Sequence, residues 1–459
     1  MPKSTAAFLV VLLLAPAPGL ARPGNPERYP IGARATGMGG AAVALGLDPW
    51  HNPAAAGRAQ QSGLSGSLSA YGLSREEVPA FVDMKLDGRI AGGLHSTSVD
   101  LFPLSMSYVR PLGSRAWGLE DGLGLSLVVP DYDHMDATLE VPAQALLYEL
   151  QTRLQRTSRT FWLVLAWGAC HGQRLCFGLG PAAALTIDDH LLITTVFQEL
   201  ADGSRIASSV IQRFELLAVA LGAQAGLQLA LAHGVRLGLT ARTPVRTLYG
   251  RGSMLIVSSQ ANSAVGAASW VDRVEVDEPQ LDYRLPWRFA LGLGREVPGS
   301  HAFGLDLRLF LAQPEYTALA GPNKEEVMMP VALGRAATDP ARALPVGYSI
   351  ATTAMLNANL GGELQLTEQL TLQGGLFTDL SSTPEERVLT GERNRHSRLG
   401  LTLGAGWPGG YSATWVSLVA AYGWGASYAL RNEGGTLRFV TTGLQSWSVM
   451  LVLGSTATL

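Results

Sequence analysis

The stretch Ala302-Phe-Gly-Leu-Asp-Leu-Arg-Leu-Phe-Leu-Ala312 decides the fold. Successive side chains of an extended chain point to opposite faces. Phe303, Leu305, Leu307, Leu309 and Leu311 therefore share one face, and Gly304, Asp306, Arg308 and Phe310 share the other. The design recurs outward from this point. Val235, Leu237, Leu239 and Ala241 oppose Arg236, Gly238, Thr240 and Arg242. Trp287, Phe289, Leu291 and Leu293 oppose Arg288, Ala290, Gly292 and Gly294. Leu356, Ala358, Leu360, Leu364 and Leu366 oppose Asn357, Asn359, Gly361, Glu363 and Gln365, and Leu399, Leu401, Leu403 and Trp407 oppose Arg398, Thr402 and Gly404. A soluble sandwich shares this period, but it does not carry an outward apolar set on strand after strand.

The links between such segments alternate in length. Short ones fall at 112–115, 170–176, 232–234, 298–301, 367–369 and 408–411, and long polar ones at 74–101, 130–158, 187–212, 250–285, 313–348 and 380–396. Short turns on one side and long loops on the other mark a transmembrane barrel. The pattern predicts an all-β, antiparallel transmembrane β-barrel of about fourteen strands, near 62–73, 102–112, 116–129, 159–169, 176–187, 213–231, 235–250, 286–296, 302–312, 349–366, 370–380, 397–407, 412–430 and 436–455. Composition agrees. Of 459 residues, 15% are charged and 47% apolar, against roughly 25% charged in a soluble domain. No window offers an apolar spanning helix, which leaves closure of a sheet as the way into a membrane. Trp287, Trp407, Trp415, Trp424, Tyr428 and Trp447 suit interfacial girdles.

Residues 1–21 read as a secretory signal: Lys3, an apolar run from Ala6 to Ala15, then Gly19-Leu20-Ala21. A retained anchor is the alternative. In an exported chain, Cys170 and Cys176, on either side of a short turn, read as a hairpin disulfide, with two free thiols the alternative. Net charge is −3 with no basic patch, which speaks against nucleic acid. The histidines show no metal spacing, and no Gly-x-Ser-x-Gly elbow is present, so no metal, cofactor or enzymatic activity is expected.

Gly32-Ala-Arg-Ala-Thr-Gly-Met-Gly-Gly-Ala41, followed by Asn52-Pro53-Ala54, resembles the N-terminal plug of the FadL/TodX family of outer-membrane transporters. Arg236–Pro244, Leu285–Gly294 and Gly362–Asp379 resemble later parts of that family, in the same order. The resemblance implies a barrel over 62–459 with residues 22–61 folded inward as a hatch. It implies passive transport of long-chain fatty acids or aromatic hydrocarbons, with lateral exit into the bilayer. The implied setting is the cell outer membrane, among lipid and lipopolysaccharide, after insertion by barrel-assembly machinery. The other functional reading is a non-transporting barrel that serves as an assembly or secretion scaffold, and the other reading of 22–61 is a linker.

Strand phase points Arg242, Arg246, Arg288 and Arg308 into the lumen, where guanidiniums could bind a ligand carboxylate. The alternative is internal pairing, Arg308 with Asp306 for instance. Asn52, Pro53 and Ala54 are the candidate hinge or anchor of the hatch. Gly122, Gly124 and Pro130 mark the candidate lateral gap, because Gly and Pro weaken a ladder. A strand that begins only at Gly122, after a charged turn, is the alternative.

Overall fold

The computed structural model describes residues 27–86, 88–100, 103–113, 118–141, 148–172, 174–199, 203–263, 269–277, 280–320, 347–389, 394–433 and 436–459. The expected signal, residues 1–21, lies outside them. In chain order the β segments are β1 (Gly63–Leu86), β2 (Gly88–Asp100), β3 (Pro103–Pro111), β4 (Leu119–Val141), β5 (Tyr148–His171), β6 (Leu175–Glu199) and β7 (Arg205–Ala230). There follow β8 (Val235–Arg242), β9 (Val245–Asn262), β10 (Trp270–Asp277), β11 (Gln280–Leu281), β12 (Arg284–Leu285), β13 (Arg288–Val297) and β14 (His301–Phe310). The last are β15 (Gln313–Ala320), β16 (Gly347–Thr352), β17 (Met355–Thr367), β18 (Leu370–Asp379), β19 (Arg395–Pro408), β20 (Ser412–Glu433) and β21 (Thr436–Thr458). Several are pieces of one interrupted strand, as β8 and β9 are, and together they make a closed antiparallel barrel of 14 strands. The first strand closes on the last, from Gly63 opposite Thr458 to Glu77 opposite Gln445.

Within the lower wall the alternation is as the sequence predicts. Leu239, Leu291, Leu307, Leu356, Leu376, Leu401 and Leu403 stand on the outside, while Thr240, Asp306, Asn357 and Thr402 are buried. Apolar side chains turned outward on every side are an arrangement suited to lipid. Trp287, Trp407, Trp424 and Trp447 are also exposed, but Trp415 is buried and packs over Gly406.

The long polar stretches are corrected by the structure. Most of 74–101, 130–158, 187–212 and 250–262 is strand, not loop: β4 pairs β5 as far as Val141–Leu150, and β6 pairs β7 as far as Glu199–Arg205. Along these extensions the alternation changes sign. Met135, Ala137, Leu139, Leu192, Val196, Val210 and Phe214 point in, and Asp136, Thr138, Glu140 and Arg153 point out. Apolar-in and polar-out is the pattern of a sheet in water. The same strands thus leave the lipid-facing band and continue as an ordinary solvated sheet with its own core.

The segment 27–58 is buried almost throughout and ends in the short helix α1 (Ala55–Arg58). It lies against glycines on the inner face of strand after strand. A Cβ at Gly238 would stand 2.5 Å from Val43 O, at Gly361 2.0 Å from Met38 O, and at Gly375 2.4 Å from Gly39 N. One at Gly178 would stand 2.4 Å from the Pro53 carbonyl carbon, and one at Gly168 2.6 Å from Gly57 N. The wall lacks side chains where the segment's backbone passes.

Candidate functional site: a buried arginine cluster on the N-terminal segment

Three adjacent strands supply the cluster. Arg242 of β8 sits directly opposite Arg288 of β13, and Arg308 of β14 opposes Ala290, two residues along β13 on the same face. Like charges opposite one another on a sheet destabilise it unless a counter-charge intervenes. Glu27 intervenes. Its carboxylate lies 2.9 Å from Arg288 Nε, 3.3 Å from Arg308 Nη1 and 3.5 Å from Arg242 Nη1. All four side chains are buried. Burial alone would raise the Glu27 carboxyl, but the guanidiniums of Arg288, Arg308 and Arg242 outweigh it and hold it below the usual carboxylate range.

The cluster has an aromatic flank. The Arg242 guanidinium lies 3.9 Å from the Trp50 ring centre and 4.7 Å from that of Trp162, a cation–π arrangement. Trp50, Trp162, Val164, Val245 and Ile31 form one apolar cluster there. On the other side Asp306 Oδ2 accepts from Ala42 N at 2.8 Å and from Val43 N at 3.1 Å, and lies 3.7 Å from Arg308. Asp306 thus fixes the segment's backbone, and the ion pair with Arg308 foreseen from the sequence is one part of a larger network.

Arg246 takes no place in this network. It is exposed, while Val245 is fully buried. β8 ends at Arg242, Thr243 and Pro244 interrupt the strand, and β9 resumes one residue out of phase. The neighbouring β7 ladder records the slip: Gln224 faces Arg242 and Leu221 faces Arg246, three residues along β7 against four along this strand. A one-residue bulge flips the side chains that follow it to the other face, and here that turns Arg246 outward.

Asn52, Pro53 and Ala54 form a turn held by side-chain hydrogen bonds of Asn52. Asn52 Nδ2 donates to Val43 O at 3.1 Å and to Leu227 O at 3.2 Å, and Asn52 Oδ1 accepts from Ala54 N at 3.0 Å. Ala54 packs on Cys170 and Cys176, which form a disulfide across the β5–β6 hairpin. Asp48 Oδ1 caps the preceding turn by accepting from His51 N at 3.0 Å. Arg34 makes ion pairs with Glu296 and Glu363, and Glu296 pairs in turn with Arg236. The sequence reading missed Glu27, Arg34, Glu296 and Glu363, because no local pattern announces pairs drawn from opposite ends of a chain.

Gly122 and Gly124 are fully paired on both sides, opposite Pro111 and Val109 and opposite Gly168 and Ala166. They do not weaken the ladder as expected. Their inner faces instead receive Ala56 O and Pro49 Cγ, at 2.2 and 2.5 Å from a notional Cβ. The interruption lies farther along, at Pro130. Ladder pairs of β4 with β3 run from Pro111–Gly122 to Ser105–Val128, and the next is Ser96–Ala137 on β2. Among the described residues no ladder pair joins β4 to β2 or β3 between these points. The β4–β5 ladder shifts register at the same place, between Val128 and Asp131. Arg28 fills this interval from inside: its N–H donates to Pro130 O at 2.8 Å, and Nη1 donates to Tyr132 O at 3.0 Å. Arg28 also pairs with Asp133, which pairs with Arg156. A cavity of about 40 Å³ with a mixed polar and apolar lining adjoins, bounded by Arg28, Tyr29, Asp133, Arg398, Trp447 and Met450 among others. It has room for water but not for an apolar chain.

This is the fold of the FadL/TodX barrels. The chain superposes on a Pseudomonas aeruginosa FadL homologue with a TM-score of 0.55 at 13% identity, covering 95% of this chain and 99% of that one. It superposes on the P. putida toluene transporter TodX with a TM-score of 0.52 at 13% identity, over 95% and 99% of the two chains. The Ralstonia pickettii toluene transporter TbuX gives 0.52 at 13% identity, over 94% and 98%. No protein-family model and no curated protein matches the sequence.

Proposed function

We propose that this chain is an outer-membrane transporter that passes hydrophobic small molecules, long-chain fatty acids or aromatic hydrocarbons, down their gradient. Residues 22–61 are its plug, seated inside the barrel over 62–459, and the interruption of β4 beside Pro130 is the lateral exit. One observation carries the reading: a lipid-facing barrel holds its N-terminal segment on a ring of inner-face glycines. Contacts made by backbone and small side chains can be broken without repacking a large core. Two of the structural neighbours are named as toluene transporters, which supports it. No catalytic role is assigned to any side chain. Lipid, lipopolysaccharide and the barrel-assembly machinery are the surroundings such a protein would meet.

The test is deletion of Gly32–Gly57. The barrel should still fold, shown by heat-modifiable migration on a denaturing gel, and its conductance in planar bilayers should rise. Unchanged conductance would reject the plug. A scaffold role is the second reading, and the filled interior favours it. Uptake of laurate or toluene by vesicles that carry the intact protein, above that of empty vesicles, would decide for transport.

A further inference from the structure

Arg246, turned outward, stands on a face that the lumen does not use. After it on β9 come Leu248 and Tyr249, 69% and 58% exposed, and then Arg251, also exposed. Directly opposite Arg246 is Arg284 of β12, where the chain re-enters the wall from the long link that follows β9. Trp287, three residues further on, is outward and exposed. Outward aromatic and cationic side chains together mark the water edge of a lipid-facing wall. The register carries this edge to other strands. Arg251 lies opposite Leu217 of β7, Leu217 opposite Ile187 of β6, and Ile187 opposite Arg159 of β5. Below this row the outward side chains of β5 and β7 are apolar, Leu163, Leu165 and Leu221 among them. Above it come Arg153, Asp189, Arg213 and Glu215.

The arginines of this edge lack acids of their own. Asp282 is held by Arg284, whose Nε lies 2.9 and 3.0 Å from its two oxygens, and Glu215 is held by Arg213. Among the described residues no acid pairs with Arg159, Arg246 or Arg251. On the far wall the outward Arg75 and Arg395 are paired, with Glu77 and Glu385. Like charges facing each other across a ladder, as Arg246 and Arg284 do, are destabilising until an anion joins them. A long arginine stem lies along apolar surface and lifts its head to the level of lipid headgroups, where the planar guanidinium offers two donors to a phosphate. Arg159 and Arg251 stand three strands apart, roughly 14 Å across the ladders, too far to share one phosphate.

We propose that Arg159, Arg246 and Arg251 form an outer-face site for lipopolysaccharide. The two phosphates of its diphosphorylated glycolipid meet the separated guanidiniums, and Leu248, Tyr249 and Trp287 lie against its acyl chains. A phospholipid with one phosphate reaches only part of the row. The inference rests on the outer-membrane location proposed above and is independent of transport.

Native mass spectrometry of the full-length mature protein, released from detergent micelles, tests this. The probes are diphosphoryl lipid A, monophosphoryl lipid A and dioleoyl phosphatidylglycerol. Wild type should bind the diphosphoryl form on the order of tenfold more tightly than either of the others. Equal affinity for the three lipids overturns the site, and this comparison needs no variant. Arg159→Gln, Arg246→Gln and Arg251→Gln, combined in one protein, should weaken diphosphoryl lipid A binding at least tenfold. Arg75→Gln with Arg395→Gln should leave it unchanged. Heat-modifiable migration reports that each variant is folded. Lipid A affinity that survives the triple substitution, or falls equally in the far-wall control, also overturns the site. Loss of laurate or toluene uptake with lipid A binding intact would fail the transport reading and leave the site standing. Recovery of the protein in a membrane fraction without lipid A would fail the location instead.

Discussion

Gly178 shows what a single hydrogen in place of a methyl can decide. Its inner face meets the backbone of Pro53 and Ala54, which cannot swing aside as a side-chain tip could. Gly178→Val should unseat the Asn52–Ala54 turn at an overpacking cost of about 1–3 kcal/mol. Planar-bilayer conductance should rise, while Gly443→Val, on an open outer face, leaves it unchanged. Equal conductance in both variants would contradict the seat. Asp306→Asn probes the other anchor. Hydrogen bonds to a charged acceptor are worth about 1.5–3 kcal/mol each, so the amides of Ala42 and Val43 should exchange at least tenfold faster in the variant. Exchange rates that do not change would show that the segment is held elsewhere. Gly238 and Gly361 were visible in the sequence on the inward phase of their strands. What they face was not, because the facing residues lie far away in the chain.

At the scale of the strand, the lower wall was legible because its two faces differ so sharply. Leu291 beside Gly292, or Leu307 beside Asp306, admits one assignment only. The upper wall was not legible. In 130–141 and 187–199 the polar residues and Pro130 read as loop, although Met135, Ala137 and Leu139 kept a period of two with the phase reversed. The reversal itself marks the edge of the lipid band, and it makes a prediction. Leu291→Arg, on the outer face of β13, should destabilise the barrel by about 2–4 kcal/mol if it sits near mid-bilayer. Thr138→Arg, on the outer face of β4 above the reversal, should stay within about 0.5 kcal/mol. Urea unfolding in lipid vesicles would measure both, and similar losses would disprove the boundary. Arg246 illustrates the remaining limit of strand reading. Phase can be propagated from Leu237 to Arg242, but Thr243-Pro244 breaks it, and the size of a bulge is not written in the residues that form it.

For the whole molecule, the barrel, the hairpin disulfide and the convergence of Arg242, Arg288 and Arg308 could be foreseen, because each depends on local alternation and short links. The partner of the arginines could not, because Glu27 reaches them only once the segment is threaded inside the closed wall. That partnership fixes how the molecule should respond to acid. Arg288, Arg308, Arg242 and His51 act on Glu27 to favour its charged form, and its carboxyl is held below the usual range in the docked segment. Released into solvent, it would titrate normally. The docked form is thus favoured by the full linkage term above the ordinary carboxylate value, and that term fades only as pH falls through the depressed value. Conductance of the wild-type protein should accordingly stay flat from about pH 7 to about pH 5, and rise only under stronger acid. In Glu27→Gln the acid-induced rise should be weaker, since the group that would titrate is gone. A conductance step near neutral pH in the wild type would assign control of the segment to some group other than Glu27.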